Sequence, residues 1–418
     1  MLFRALRWLV RLGWPMRALS PWFGPFHPFL PSFRTDPYPH YQVLREQHPA
    51  YVHRVFRSLI LSRHTDISRI LKDPTFSVDR SRMFEFPPFG AMRADFKKAV
   101  LSSLLMTDPP DHTRIRNLVN KAFTPRRVDA LRPRIQAIVD ELLESLGERG
   151  EPDFVRDFAV PMPITVIAEL LGVPAADRER FKNWSTVLGA LLDPLASLHG
   201  LAELEASFVD MVGYFEELFE QRRREPRDDL MSALVTVEEE GDKLNASELL
   251  SVCALILGAG HETTTNLLGN AVVALLRNPG ERKRLMDDPG LIGSAVDEFL
   301  RYDGPVQVTD RIATQPLEVC GHRLDRGSPV ILVLGAGNRD PRVFENPDQL
   351  DLGRTENRHL SFGQGMHFCL GAQLARAEAQ IAVNSLLARY PDFSGNPDPP
   401  SWRPSFVLRG PSAVPLRL

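Results

Sequence analysis

The sequence predicts a mainly α-helical fold with a small β region. Helical patterns of apolar residues recur along most of the 418 residues, whereas strand-like runs rich in Val, Ile and Phe are short and few. No linker rich in Pro, Gly or Ser divides the chain. We therefore expect a single domain over residues 36–418, preceded by a basic and aromatic N-terminal extension over residues 1–35.

Individual elements follow from the spacing of apolar residues and from the residues that begin or end helices. The segment 50–61 and the region between Val306 and Leu334 predict short strands, and the Pro- and Asp-rich segment 338–360 predicts irregular structure. Helices are predicted over residues 38–48, 64–72, 112–121, 128–146, 160–171, 176–191, 200–224, 245–277, 281–287 and 290–302, and again after residue 371.

The composition excludes several classes of protein. The formal net charge is -3 and charges of both signs are interspersed, so nothing indicates a nucleic-acid partner. The three cysteines, Cys253, Cys320 and Cys369, lie far apart, which excludes a disulfide scaffold, a zinc ribbon and an internal iron–sulfur cluster. They suit a reducing compartment, and we expect a cytoplasmic monomer.

The N-terminal extension is strongly basic. It carries five arginines and no Asp or Glu before Asp36, and on a helix Arg4, Arg7 and Arg11 share one face. Such a helix is too short and too charged to span a bilayer. Two predictions remain open: residues 1–14 either dock on their own domain or lie as a basic amphipathic helix on a membrane surface.

A cysteine in a glycine-spaced loop is the most informative motif. Residues 361–371 read SFGQGMHFCLG, and strong helix formers follow them. Cys369 should therefore lie at a helix N-terminus, where the helix dipole favours negatively charged sulfur and lowers the pKa of the thiol. Gly363 and Gly365 permit backbone angles closed to other residues, and Gly371 lets a flat body approach. The pattern indicates a thiolate metal ligand, with a buried structural cysteine as the alternative.

The helix predicted over 245–277 has an unusual centre. Residues 258–264 read GAGHETT, in which each of the two glycines costs about 1 kcal/mol relative to Ala. Two glycines so close together require a body packed against the backbone or a local widening of the helix. Close packing against another helix is the plainer alternative.

Together these motifs resemble those of the cytochrome P-450 family. Residues 362–371 match its haem-binding loop, F-G-x-G-x-H-x-C-x-G, and residues 259–263 match its oxygen-activation motif, A/G-G-x-D/E-T. The resemblance covers nearly the whole chain from about Asp36 onward. It implies the cytochrome P-450 fold, with the long helix crossing over a haem.

The resemblance implies haem b, iron protoporphyrin IX, as cofactor and dioxygen as co-substrate. Cys369 is the implied axial ligand of the iron, and its thiolate favours O–O cleavage by pushing electron density toward dioxygen. Phe362, Gly371 and Ala259 are implied to border the haem. Four residues are implied to bind its propionates: His112, Arg116, Arg311 and His367.

Two acidic residues have implied roles of different kinds. O–O cleavage consumes two protons in a site that otherwise excludes water. Glu262 and Thr263 are the implied catalytic pair, with Thr263 holding a water and Glu262 relaying protons from solvent. Glu298 and Arg301 match the family's E-x-x-R pair, completed by Arg354, and are expected to lie buried and to lock the segment before the cysteine loop.

The implied function is that of a haem-thiolate monooxygenase, which hydroxylates or epoxidises an apolar, medium-sized substrate. A fatty acid, a terpenoid, a steroid and a macrolide all remain open as substrates. Apolar segments predict the substrate pocket at Phe84, Phe86, Phe89, Leu188, Leu255, Val306, Val308 and Phe406.

Electrons are expected from separate proteins, a ferredoxin and its reductase, because the sequence leaves no room for a redox domain after the last predicted helix. A basic face for an acidic ferredoxin is predicted at Arg114, Lys121, Arg126, Arg127, Arg342 and Arg358.

Two alternative functions remain. A peroxygenase would use hydrogen peroxide directly, but relatives of that kind often lack the acid–alcohol pair that Glu262 and Thr263 supply. A non-catalytic haem-based sensor would have no need of a proton relay.

Overall fold

The computed structural model describes residues 23–83, 102–189, 201–239, 242–398 and 401–418. The helices in these ranges are α1 (Pro31–Thr35), α2 (Tyr38–Gln47), α3 (His64–Lys72), α4 (Asp111–Ala122), α5 (Pro125–Gly147), α6 (Pro161–Leu170), α7 (Arg178–Gly189), α8 (Leu201–Arg224), α9 (Leu230–Thr236), α10 (Ala246–Arg277), α11 (Pro279–Asp287), α12 (Ile292–Tyr302), α13 (Leu334–Gly337) and α14 (Ala372–Arg389). The strands are β1 (Ala50–His53), β2 (Ser58–Leu61), β3 (Phe76–Ser77), β4 (Glu238–Glu239), β5 (Asp242–Lys243), β6 (Thr309–Ala313), β7 (Leu317–Val319), β8 (His322–Leu324), β9 (Pro329–Leu332), β10 (Ser394–Gly395) and β11 (Leu416–Arg417).

Helix α10 is the long helix that the sequence predicts. A capping box between Asn245 and Glu248 closes its N-terminus, since each residue's side chain accepts a hydrogen bond from the other's backbone N–H. Its 32 residues span about 48 Å at 1.5 Å per residue. Helices α6, α7, α12 and α14 pack around it, and most of its C-terminal half is buried.

A five-stranded sheet has the order β1-β2-β9-β6-β3. β2 and β9 pair in parallel, with Leu59 opposite Val330, and the other neighbours are antiparallel. β6 and β9 place Asp310 directly opposite Ile331. Because side chains of directly opposed residues share a face of the sheet, Asp310 and Ile331 lie on the same side.

Three clusters of buried apolar side chains hold these elements together. The largest surrounds α10, and a second lies against the sheet. The third contains Phe26 and Phe33, packed with Val308 and Val333. Residues 23–35, the described part of the expected extension, therefore pack into the fold.

The predicted helices agree with the observed α-helices apart from their ends and three short omissions, α1, α9 and α13. α5 begins at Pro125, earlier than predicted, because Thr124 caps it and proline suits the first helical position. The sequence analysis missed α9, whose seven residues are too few to show helical periodicity. Within the described ranges, no helix combines the length and apolarity needed to cross a membrane. The helix predicted over 1–14 lies outside those ranges.

Candidate active site

The loop before α14 holds Cys369 in a fixed backbone arrangement. Gly363 and Gly365 have φ angles of +66° and +72°, as the sequence predicts. A Cβ at Gly365 would lie 2.6 Å from the carbonyl oxygen of Leu71, so only glycine fits there. The N–H of Cys369 donates to the carbonyl oxygen of Phe362 at 2.9 Å, which closes the loop.

The thiol of Cys369 lacks the lowered pKa that its place before a helix predicts. Burial raises its pKa, while the N–H of Gly371 and the charges of Arg116 and Arg376 act in the opposite direction. The helix-dipole prediction was wrong because it left out the apolar side chains packed around the sulfur. A coordinating metal deprotonates a thiol outright, so a bound metal would give a thiolate here despite the burial.

A largely apolar cavity of about 510 Å³ lies against this loop. Cys369, Phe362 and Gly371 line it from the loop, and Ala259 and Thr263 line it from α10. The position of a Cβ on Gly371 is open space, so a flat group can approach the backbone there. The structure thus brings the two chemical motifs of the sequence to one cavity.

Thr263 and Glu262 leave α10 in different directions. Thr263 lines the cavity, and its hydroxyl donates to the carbonyl oxygen of Ala259 at 2.7 Å. Glu262 is absent from the described residues that line the cavity. Its carboxylate lies 3.7 Å from the guanidinium of Arg403, and 19% of its side chain is exposed. Glu262 therefore reaches solvent, whereas Thr263 reaches the cavity.

Close helix packing accounts for the two glycines of α10. A Cβ at Gly258 would lie 2.9 Å from Cβ of Leu188 on α7, and one at Gly260 would lie 2.9 Å from Cδ1 of Ile167 on α6. α10 is continuous, so it lacks the local widening that the sequence also allowed. Leu188, a predicted pocket residue, fills this helix contact and is absent from the described residues that line the cavity.

His261 lies buried between these motif residues. It is absent from the cavity lining, and both ring nitrogens lack a hydrogen-bond partner among the described residues. Burial, and then the charge of Arg403, lowers its pKa to about 4. The imidazole is therefore neutral at physiological pH.

The four predicted propionate ligands come together. Arg116, Arg311 and His367 line the cavity, and the ring centroids of His367 and His112 are 4.2 Å apart. Burial is the main cause that lowers the pKa of His112, and it also brings the pKa of His367 to about 3. Within the described part of the chain, both ring nitrogens of His112 are buried without a partner. Such atoms are satisfied by a group that the structure does not contain, such as a water, an ion or a ligand.

Glu298, Arg301 and Arg354 form a buried network beside the cysteine loop. Arg301 donates two hydrogen bonds to the Glu298 carboxylate, each of 2.8 Å, and Arg354 donates a third of 3.1 Å. Arg301 also donates to the carbonyl oxygens of Asn338 and Pro347. The network therefore ties α12 to the irregular segment that leads into the loop.

The remaining predicted pocket residues fall into two groups. Those that line the cavity are Leu255, Val306, Val308 and Phe406. Those that lie outside the described residues are Phe84, Phe86 and Phe89. Phe56 and Ile331 also line the cavity, and sequence reasoning missed them because only the fold brings the sheet to this site.

Sequence reasoning also missed Glu378, an acidic residue of the cavity. It lies on α14, is 2% exposed and lines the cavity. Burial raises its pKa to about 8, and a hydrogen bond with Thr264 acts in the opposite direction. Its sequence neighbours are ordinary helix formers, among which a glutamate normally faces solvent, so no local pattern distinguishes it.

The predicted basic face is partly neutralised. Arg114 pairs with Glu248 and with Asp242, and Arg342 pairs with Asp340. Two of the expected cations therefore have a carboxylate beside them, which reduces their attraction for an acidic partner.

The donor set fits a haem better than a bare metal ion. Among the described residues, no group of three or more His, Cys, Asp or Glu could hold a metal ion. Cys369 offers one sulfur for the iron, and the largely apolar cavity walls suit the flat ring of a haem. Arg116 and Arg311, which also line the cavity, suit the two propionate carboxylates of the haem.

A helical fold with a single cysteine on a large, largely apolar cavity fits a haem-thiolate oxygenase. A family model described as Cytochrome P450 matches residues 55–288 and 291–412. The chain belongs to the cytochrome P450 family, and it is a cytochrome P450 monooxygenase.

Relatives match along almost the full chain. Cytochrome P450 107B1 from Saccharopolyspora erythraea is 42% identical over 92% of this chain and 96% of its own. Vitamin D(3) 25-hydroxylase from Pseudonocardia autotrophica is 40% identical over 93% of this chain and 96% of its own. The solved structure of the bacillaene polyketide synthase cytochrome P450 PksS from Bacillus subtilis matches with a TM-score of 0.86 at 38% identity, over 94% of this chain and 99% of that one. These matches confirm the predicted fold.

Proposed function

We propose that this protein binds haem b through Cys369 and inserts one atom of dioxygen into an apolar, medium-sized organic substrate. The observation that carries the proposal is that Cys369 and Thr263 line one largely apolar cavity. The reaction consumes substrate, dioxygen, two electrons and two protons, and it yields the oxygenated product and water. When bound, the haem supplies the iron that activates dioxygen.

The residues around the cavity hold the haem. Cys369 would hold the haem iron through its sulfur, and Phe362, Gly371 and Ala259, which line the same cavity, would border the ring. Arg116, Arg311, His112 and His367 bind the propionates, because charged hydrogen bonds to carboxylates are the strong ones. The two ring nitrogens of His112, which have no hydrogen-bond partner among the described residues, support this assignment.

Glu262 and Thr263 move protons between solvent and the cavity. Glu262 is partly exposed beside Arg403, so it can exchange a proton with solvent. The Thr263 hydroxyl faces the cavity and donates its proton to the carbonyl oxygen of Ala259. Its oxygen can accept a hydrogen bond from a water and hold it where protons are needed.

The substrate is held by apolar contact. Leu255, Val306, Val308 and Phe406 supply hydrophobic walls, and a cavity of this kind binds ligands with few polar groups. One relative is named for vitamin D(3) and one solved neighbour for a polyketide synthase. Those names support a compound of comparable size here, among fatty acids, terpenoids, steroids and macrolides.

Electrons come from a separate ferredoxin with its reductase. Next to Cys369 the loop exposes Met366 and Phe368, which are 41% and 42% exposed. Phe368 also lines the cavity, so Met366 is the one of the two whose exposed side chain is absent from the described cavity lining and can contact a protein partner. The predicted basic face would supply positive charge that attracts an acidic ferredoxin.

Turnover by the haem-loaded protein tests the proposal. Fatty acids, terpenoids, steroids and macrolides are first screened for a shift of the ferric haem from low to high spin. Compounds that shift it are then supplied with labelled dioxygen, a ferredoxin, its reductase and NADPH. We expect a product that carries one labelled oxygen atom. Conversion only with hydrogen peroxide would favour a peroxygenase, and haem binding without any conversion would contradict the proposal.

A further inference from the structure

A charged pair contacts the cysteine loop from outside the cavity. Arg376, on the second turn of α14, has its guanidinium carbon 4.5 Å from the ring centroid of Phe362. The Nε of Arg376 donates to the carboxylate of Asp297, on α12, at 2.8 Å. Phe362 accepts the N–H of Cys369 at its carbonyl oxygen. Continuous contacts therefore lead from Asp297 through Arg376 and Phe362 to Cys369.

Both members of this pair are charged at neutral pH. The Nε2 of His359 lies 3.4 Å from the same oxygen of Asp297 that Arg376 contacts. Although burial acts to raise it, hydrogen bonds from His359 and Arg376 bring the pKa of Asp297 below its usual range. Only 32% of the Asp297 side chain and 30% of the Arg376 side chain are exposed, so solvent screens their charges incompletely.

The sign of each effect on Cys369 follows from electrostatics. A cation near sulfur stabilises negative charge, and the guanidinium of Arg376 lies over the ring of Phe362, the residue whose carbonyl oxygen accepts the N–H of Cys369. Reduction of a haem bound at Cys369 adds one electron, which also makes the site more negative. The positive charge of Arg376 therefore favours the reduced haem, and the negative charge of Asp297 disfavours it.

A purely structural role accounts poorly for this arrangement. Partly exposed ion pairs contribute little to stability, typically less than about 1 kcal/mol. Arg376 is nevertheless held from two sides, by Asp297 and by the ring of Phe362. That geometry fixes the position of its charge beside the loop.

We propose that Arg376 and Asp297 are positioning residues that set the reduction potential of the haem held by Cys369, Arg376 raising it and Asp297 lowering it. The inference rests on the proposed function, because it requires haem ligated at Cys369. Neither residue lines the cavity, so both act on electron uptake without touching the substrate.

The test compares Arg376→Gln, Asp297→Asn and the double variant by redox titration of the ferric haem at pH 8, where an ordinary histidine is neutral. We expect Arg376→Gln to make reduction about threefold less favourable and Asp297→Asn about threefold more favourable. Threefold corresponds to about 28 mV, since tenfold is 59 mV for a one-electron couple. The double variant should return to the starting potential. Arg376→Lys, which keeps the charge, should change it little.

A matched control lies elsewhere in the chain. Arg180 lies 5.1 Å from the ring centroid of Trp184 and pairs with Asp210 at 2.7 Å, on α7 and α8. Arg180→Gln and Asp210→Asn should leave the potential unchanged.

Two results would overturn the inference while the thiolate-ligated haem is present. The first is that all variants have the same reduction potential. The second is that Arg376→Gln and Asp297→Asn shift the reduction potential in the same direction. A wild-type protein whose haem lacks a thiolate ligand would instead contradict the proposed function.

Discussion

Glu298 and Arg301 face each other through two hydrogen bonds of 2.8 Å, and neither side chain has any exposed area. Every oxygen of the carboxylate has a further partner, because Asp351 donates its N–H to one and Arg354 its Nε to the other. A buried charge with all its partners present is stable, but removing one partner leaves the other charge uncompensated.

Substitution of Arg301 by alanine should therefore lower the free energy of unfolding by about 3–5 kcal/mol, and Glu298→Ala should do the same. Both variants should lose haem, because the segment before the cysteine loop is no longer tied to α12. Urea unfolding and the haem-to-protein ratio measure the two effects. Arg277→Ala is the control, since it breaks an exposed pair with Asp398 and should cost less than about 1 kcal/mol. A normal haem ratio in either buried-site variant would refute this role.

Gly258 and Gly213 should respond in opposite directions to alanine. A Cβ at Gly258 meets Leu188 at 2.9 Å, whereas nothing lies within 4 Å of one at Gly213 on α8. Gly213→Ala should stabilise the protein by about 0.5–1 kcal/mol through helix propensity. Gly258→Ala should destabilise it by roughly 1–2 kcal/mol because overpacking outweighs that gain. Thermal unfolding measures the change in stability of each variant. Stabilisation by both substitutions would show that the α7–α10 contact has room for a Cβ.

Glu378 should make stability depend on pH. Its pKa is raised from the ordinary value of 4.5 to about 8 in the folded protein, so between those values the unfolded chain is ionised while the folded one is neutral. The folded state therefore loses stability as pH rises through this window. Glu378→Gln removes the effect and should be more stable than wild type at pH 8, with little difference at pH 4.5. Urea titrations at both pH values provide the comparison, and a difference independent of pH would show that Glu378 is not the titrating group.

Substitutions of the two proton-relay residues should uncouple NADPH oxidation from product formation. Thr263→Ala removes the hydroxyl that faces the cavity, and Glu262→Gln removes the carboxylate beside Arg403. With an identified substrate, each variant should form product at least about tenfold more slowly, while NADPH oxidation continues in Thr263→Ala. Product, NADPH and hydrogen peroxide are measured together. Unchanged product per NADPH in Thr263→Ala would exclude its role in proton delivery.

The sequence could predict the parts of the site that depend on local backbone chemistry. Gly363 and Gly365 reveal the turns of the cysteine loop, and Asn245 with Glu248 reveals where α10 begins. The large helical fold follows from periodicity that extends over many residues. Such features depend on neighbours in the chain, so a single sequence contains them.

The rest depends on contacts between distant segments. Leu188 looks like a pocket residue until α7 packs on Gly258, and Glu378 looks like a surface residue until α14 turns it toward the cavity. The pKa of Cys369 was mispredicted for the same reason, because burial by remote side chains outweighs the local helix dipole. Burial is a property of the assembled fold.

The ligation of haem iron by Cys369 is the central claim, and a reduced carbon monoxide difference spectrum tests it most directly. We predict that the wild-type protein shows the strongly red-shifted band of a thiolate-ligated haem, and that Cys369→Ser loses this band even where haem is retained. A haem-loaded wild-type protein with only the band of a histidine-ligated haem would contradict the account.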